Sequence, residues 1–372
     1  MTYINPQRVV KIEGSEITED LSADIISLSY EDHASDADMA TITVNNARNK
    51  WGDSPLFETG NQIEVQLGYG HAVKTVFQGI IARPEIAFPE SGAPTLTVRA
   101  YDLSQKMRKR KEEKSRTWEN ITDSDLVQKI ASDHGFKKER MVVDQVKEIL
   151  PYVAQGSESD WEFLRSRADR LGFELFVERD SLHFHKPKDY LKRPSGMFEY
   201  GRNLKSFEAR ISVAEQVTKV VVKGWDAEKK EPIIAIATSE TVVERPLLGQ
   251  QSASDFVKED FGEGALILHD KVPASQKEAE EIAKAFFRQK EYELTEAHGS
   301  CIGDPELRAK ALIEIAGVGS KFSGTYYLAR VQHTLDSSGY LCEFDCKRNA
   351  ITLPPLQAKK PVEKLAKFGY GV

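Results

Sequence analysis

Residues 157–184, SESDWEFLRSRADRLGFELFVERDSLHF, admit few folds. Ser159-x-x-Glu162 is a capping box, in which two side chains satisfy backbone N–H groups that the first helical turn leaves open. Trp161, Leu164, Ala168 and Leu171 follow at helical spacing and define one apolar face. Gly172 stands where a left-handed residue would end that helix, a conformation glycine adopts without a Cβ penalty. Phe173 to Val177 then alternates as a strand, Arg179-Asp180 turns, and Leu182 to Phe184 returns. The segment predicts a helix feeding a short hairpin, with no polar residue set aside for chemistry.

The flanks read differently. Met39 to Val44, Gln62 to Tyr69, Thr75 to Ile81 and Thr95 to Tyr101 alternate with period two, between turn signals at 51–55, 68–70 and 89–92. Short strands at this spacing suggest a barrel or a sandwich. Residues 105–117 are highly charged without a core pattern and read as a solvated connector; Glu112 and Glu113 interrupt the basic run, and no aromatic residue is interleaved for base stacking. Thr122 caps a second helix, with Leu126, Val127, Ile130 and Ala131 inward and Gly135 at its end. Both helices end in Gly-Phe, where the aromatic can fold back on the last turn. From about residue 205 the β pattern resumes: Val217 to Val222 runs into Gly224-Trp225, and 233–237 is a candidate strand. Ser275-x-x-Glu278 opens a helix at 276–292, with Ala279, Ile282, Ala283, Phe286 and Phe287 on one stripe. Lys310 to Ile315, Tyr326 to Thr334 and Tyr340 to Cys346 read as closing strands, the last two a hairpin over Asp336 to Gly339. On the second of these, simple alternation puts Tyr326, Leu328, Arg330 and Gln332 on one face and Tyr327, Ala329, Val331 and His333 on the other. Residues 351–372, with Pro354, Pro355 and Pro361, read as an extended tail.

The chemistry to be expected is sparse. A net charge of −7 argues against a duplex-DNA binder with a strongly basic face, and no sequence-specific nucleic-acid binding is expected. Cys301, Cys342 and Cys346 are too few for a disulfide framework. Cys342 and Cys346, four residues apart on a strand, lie roughly 13 Å from each other, beyond bridging distance. His183-x-His185 is the one close histidine pair, and a hairpin-surface reading is favoured over a metal site because no further ligand stands nearby. Motifs for a nucleophile elbow, a metalloprotease or a phosphate loop are lacking, and Gly317-x-Gly319 is too loose for a dinucleotide site. No catalytic, cofactor or metal residue is therefore nominated, and no cofactor is expected. Met1 to Pro6 lacks a signal-peptide pattern, and no apolar run is long enough to span a bilayer.

Two further segments join the opening one in a resemblance. Residues 319–335, GSKFSGTYYLARVQHTL, carry a glycine turn, an aromatic and Leu-x-x-Val-x-His; residues 220–226, VVVKGWD, form a third element. In order along the chain, these resemble the late control gene D family of contractile-tailed phages. Relatives of that family form the first part of the secretion-system spike proteins called VgrG. The matching positions are Trp161, Phe163, Leu164, Leu171, Gly172, Gly224, Trp225, Gly319, Gly324, Tyr326, Tyr327, Val331 and His333. The resemblance covers roughly 5–350 and implies an α+β, mainly β fold with two similar antiparallel β-barrels. On that plan barrel one is 1–105 and an α/β domain is 106–204. Barrel two is 205–225 plus 298–350, interrupted by an insertion at 226–297. The implied function is a non-enzymatic baseplate hub: a homotrimer whose pseudo-hexameric ring adapts a six-fold tail tube to a three-fold spike. The implied partners are further copies of the chain, a central spike protein, a tail tube or tube-initiator protein, baseplate wedge proteins and a tape-measure protein. Assembly in the bacterial cytoplasm would put the chain in a virion tail or an extracellular injection particle. The chain stops at Val372 without a β-helical needle, so the resemblance expects the needle on a separate polypeptide. The competing expectations are a tail-tip peptidoglycan hydrolase, which needs a cleft with paired carboxylates or a metal, and a receptor- or glycan-binding module, which needs a shallow aromatic site.

Overall fold

The structure is a computed structural model that describes residues 5–109, 116–186, 193–226, 229–242, 248–269, 273 and 275–352. The first part of the chain supplies seven strands: β1 (Pro6–Ile12), β2 (Ser15–Glu16), β3 (Ile25–His33), β4 (Met39–Asn45), β5 (Gln62–Tyr69), β6 (Ala72–Ala87) and β7 (Thr95–Tyr101). A short helix, α1 (Glu19–Asp24), stands between β2 and β3. Period-two patterning sets the faces: β4 buries Ala40, Ile42 and Val44 and turns Thr41 and Thr43 outward. The 16-residue β6 pairs with β5 as far as Ile80 and from there with β7, and bulges on its ladders bend it.

Next comes a helical unit: β8 (Arg116–Thr122), α2 (Asp123–Asp133), β9 (Met141–Val143), β10 (Ile149–Gln155), α3 (Asp160–Leu171), β11 (Glu174–Glu178) and β12 (Ser181–His185). It has its own core, with Leu126, Ile130, Trp161, Leu164 and Phe184 fully or nearly buried. The capping box closes as expected: Ser159 Oγ accepts from the Glu162 amide at 3.2 Å, and Glu162 accepts from the Ser159 amide at 2.8 Å. Gly172 is left-handed at φ 64°. The Phe173 and Phe136 amides reach back to Ala168 and Ala131, so both helices end in the same wrap.

The remainder gives β13 (Met197–Glu199), β14 (Leu204–Ile211), β15 (Lys219–Asp226), β16 (Glu231–Thr238), β17 (Gln251–Ser252), α4 (Ala253–Phe261), β18 (Ala265–Leu268) and α5 (Gln276–Tyr292). It closes with β19 (Thr295–Ile302), β20 (Leu312–Ala316), β21 (Gly324–Asp336), β22 (Gly339–Arg348) and β23 (Ala350–Ile351).

The architecture is α+β and mainly β, as expected. Its two β halves are fused. Thirteen strands form one sheet in the order β14-β19-β22-β21-β3-β4-β7-β6-β5-β1-β2, with β20 and β13 joined beside β21. β21 carries the fusion. Along one edge it pairs with β22; along the other it meets β20 near its start and β3 near its end. The hydrogen-bonded path from β14 to β2 does not return on itself among the described residues. One core serves both halves, from Leu28, Val65 and Ile81 to Cys301, Leu328 and Phe344.

Three expectations need correction. Residues 205–225 do not enter one sheet with 298–350 as a single block. β14 pairs with β19, but β15 sits between β16 and β18 in a separate three-stranded sheet packed on α5. The reason is in the composition of 220–237, where Val220, Val222, Ile233, Ala235 and Ala237 make a second apolar surface that α5 covers. β13, placed by sequence in the α/β domain, pairs in parallel with β20 of the main sheet. Third, β21 does not keep a single alternation. A bulge at Ala329 flips its phase, so Tyr326 and Leu328 before it and Val331 and His333 after it all face the core. Residues 110–115 of the expected connector at 105–117, and 353–372 of the expected tail at 351–372, lie outside the described residues.

Candidate functional site

The signature residues do not converge on one point. Trp161, Phe163, Leu164 and Leu171 hold α3 in the core of the helical unit, with the Arg108 guanidinium 4.8 Å over the Trp161 ring and Phe163 stacked on Trp118 at 5.6 Å. Gly172 lies against α5: a Cβ there would come within 2.9 Å of Ala285 Cβ. Next to this contact Arg170 of α3 grips the buried Glu278 of α5, its Nε donating at 2.9 Å. Gly224 and Trp225 belong to the three-stranded sheet. A Cβ on Gly224 would meet Pro273 at 2.7 Å, and Trp225 is exposed. Gly319, in the turn before β21, and Gly324, its first residue, have positive φ, and the Arg348 guanidinium lies against Gly324. Tyr326 and Val331 are buried, whereas Tyr327 turns the other way and donates to Glu174 of β11 at 3.4 Å. His333 is buried and held at both ring nitrogens, Nδ1 to the Tyr340 hydroxyl at 2.7 Å and Nε2 to the Leu307 carbonyl at 3.0 Å. Apart from the exposed Trp225 and the open Gly319, these are packing positions, and Gly172 and Tyr327 lie where two units meet. His183 and His185 flank Phe176, and no group of three or more metal-ligating side chains occurs among the described residues.

Sequence reasoning missed the charged knot at the junction of the two halves. Asp32, on the inward phase of β3, accepts from Lys310 Nζ at 3.0 Å and from the Ala309 amide at 3.2 Å. Asp38 accepts from the Tyr30 hydroxyl and the His33 amide, both at 3.0 Å, and donates its own amide to Asp102 at 2.7 Å. Lys310 lies 4.7 Å over the ring of Phe176, and Arg308 lies 5.3 Å over the ring of Tyr30. The knot thus ties β3, the turn after β7, the segment before β20 and the helical unit together. Burial, and then the charge of Asp32, push Asp38 well above the ordinary carboxylate range. Burial would lower Lys310, but the facing Asp32 and Asp38 carboxylates outweigh it and raise it. A carboxylate at an inward strand position was the one available sequence signal: Leu28, Tyr30 and Asp32 share a phase in β3.

The outward face of the sheet is largely polar, with Ile302 exposed beside Glu296 and His298 on β19, and carries a ladder of ion pairs across five strands. Arg210 on β14 meets Glu296 on β19 at 2.6 Å, and Lys347 on β22 meets the same carboxylate at 3.5 Å. His298 and Asp345 are 2.9 Å apart. Arg330 on β21 reaches Asp345 and Glu31, each at 3.4 Å. Glu208, Arg210, Glu296, His298, Asp345 and Lys347 line an open groove of about 390 Å³ there. Such paired charges in exposed positions hold strand register and give a wetted wall; each is worth little alone. At one end of the sheet β14 pairs with β19 and, at Leu204, bridges to Tyr200; among the described residues its outer edge is otherwise free. Toward the other end, which β1 and β2 form, β6 pairs among the described residues only with β7 from Arg83 to Ala87.

Against known proteins, the family model described as the Alg8 N-terminal domain matches residues 5–337. A curated relative named "Probable baseplate hub protein", from Escherichia phage 186, is 30% identical over 191 residues, 50% of this chain and 46% of that protein. The match therefore spans about half the length of that relative. The 43 kDa tail protein of prophage MuSo2 from Shewanella oneidensis superposes with a TM-score of 0.70, at 15% identity, over 93% of this chain and all of that one. A type VI secretion system component of E. coli, described as structurally similar to the T4 tail proteins gp27 and gp5, gives a TM-score of 0.58 at 13% identity, over 93% of this chain and 79% of its own. At these identities the two solved structures speak for the fold. The matched proteins are named as baseplate, tail and secretion-system components. No helix among the described residues is long and apolar enough to cross a membrane.

Proposed function

The chain belongs to the Alg8 N-terminal domain family and to the baseplate hub proteins of phage-type tails, and from that premise we propose that three copies close into a ring. The ring adapts a six-fold tail tube above it to a three-fold spike below. The observation that carries this reading is the fusion at β21: each chain presents two β units, of seven and six strands, in one continuous sheet. Three such chains offer six comparable units, so a three-fold assembly meets a six-fold one without a change of scaffold. The contact between copies is heterologous. The open edge of β14 faces the part of the next sheet where β6 runs beyond β5 and, among the described residues, has only β7 beside it. Beyond Leu204 this edge offers a row of backbone groups unpaired among the described residues, which an adjoining copy satisfies. The paired charges of the outward face line the passage, where a wetted, nearly neutral wall avoids tight binding of cargo. The spike, tube, wedge and tape-measure proteins named above are the partners this role requires, in a particle assembled in the bacterial cytoplasm.

The signature residues serve this role indirectly, by holding the helical unit and the three-stranded sheet against each other and the helical unit to the main sheet. Native mass spectrometry of the purified chain, alone and with a candidate spike protein, tests the stoichiometry. A trimer is expected in at least the second sample, with negative-stain images showing a ring and a central hole. A chain that stays monomeric in both samples, or a trimer without a hole, overturns the reading.

A further inference from the structure

Four side chains form one cross-strand row on the inward face of the main sheet. Cys301 on β19 stands opposite Cys342 on β22, Cys342 opposite His333 on β21, and His333 opposite Tyr30 on β3. The Gly303 amide donates to the Tyr340 carbonyl at 3.0 Å, which marks that facing pair as hydrogen-bonded. Alternation makes Cys301–Cys342 a hydrogen-bonded pair too, with a Cα separation of about 5.5 Å. That lies inside the range a disulfide spans. Both thiols are free and buried. Cys342 Sγ is also 3.2 Å from His333 Nδ1 and accepts from the Asp304 amide at 3.3 Å. Burial opposes ionisation of Cys342, but Cys301, His333 and the Asp304 amide outweigh it and bring the thiol down to about 5. Cys346 has no such setting. It faces Ala297 and Leu328, and burial pushes its thiol well up.

We propose that Cys301 and Cys342 are an oxidisable pair that closes to an intrachain disulfide and staples β19 to β22. With hydrogen peroxide as oxidant, the Cys342 thiolate sulfur attacks one peroxide oxygen. The O–O bond breaks, hydroxide leaves, and Cys342 becomes a sulfenic acid. The Cys301 sulfur then attacks the Cys342 sulfur. The S–S bond forms, the S–O bond breaks, and the departing hydroxide takes the Cys301 proton as water. In sum, two thiols and one peroxide give one disulfide and two waters. The bond closes the chain between residues 301 and 342, which contains the fused strand β21. Oxidation therefore strengthens the half of the sheet next to the free β14 edge.

The test uses the full chain, reduced, freed of reductant and exposed to hydrogen peroxide under native conditions. Remaining thiols are alkylated before digestion and mass mapping. The expected product links the Cys301 and Cys342 peptides and leaves Cys346 alkylated, so free thiols fall from three to one. Its melting temperature should exceed that of the reduced chain and return on adding dithiothreitol. Cys346→Ser should keep the link, and Cys301→Ser should abolish it. Should the latter variant not fold, the wild-type map decides. Three alkylated cysteines after oxidation, a link through Cys346 or a link between chains overturns the proposal.

Discussion

At the scale of the residue, buried polar groups carry more of this molecule's design than its signature aromatics do. Asp38 is the sharpest case. Its folded-state pKa lies above the unfolded value, so the folded chain holds an extra proton between the two. The sign follows: stability is fullest below the unfolded value, about 3.9, and is lost as pH rises through the folded one. Asp38→Asn keeps a side-chain carbonyl for the His33 amide and an amide that can donate to the Tyr30 hydroxyl. Melting curves of that variant from pH 4 to 8 should slope less steeply than wild type; an unchanged slope would show that Asp38 is not the group responsible. His333 teaches the opposite lesson. Both nitrogens are engaged inside the core, so its place in the signature reflects packing and polar satisfaction.

Elements were the most legible scale, and α3 shows why. A capping box and a C-terminal glycine act within a few residues, so local sequence contains the whole argument. The two ends should respond differently to substitution. Ser159→Ala removes one cap and should cost about 1 kcal/mol in urea unfolding. Gly172→Ala should cost more, roughly 2–3 kcal/mol, because it adds left-handed strain to a Cβ that meets Ala285 at 2.9 Å and so overpacks the α3–α5 contact. Equal costs for the two would mean that α5 does not press on this end of α3. β21 marks the limit of the same local reasoning. Its alternation was readable on either side of Ala329, but the extra residue that reverses the phase is defined by the partner strand. Nothing in GTYYLARVQHTLD announces the bulge.

For the whole molecule, the decisive feature is that β21 joins two halves into one sheet with an open edge at β14. That edge permits a selective test. Ser212 donates to Leu294 at 2.9 Å, so by alternation the amides of Ser206, Glu208 and Arg210 point to β19, while those of Phe207 and Ala209 point away. Ala209→Pro removes a donor only from the free side. The variant should stay folded by circular dichroism and lose the trimer in native mass spectrometry; a trimer of undiminished stability would place the contact elsewhere. Sequence alone determined the mainly β character, the two capped helices and their glycine ends, and through ordered motifs the hub family, because each of these rests on short-range periodicity and capping. Only the tertiary structure decided that β15 leaves the main sheet for α5, that Asp32, Asp38 and Lys310 meet in one buried knot, and that β3 finds β21 some three hundred residues away in the chain. Strand pairing at such distances is chosen by which apolar faces bury one another and which buried charges find partners. Many alternating strands in this chain look equally eligible until the core forms.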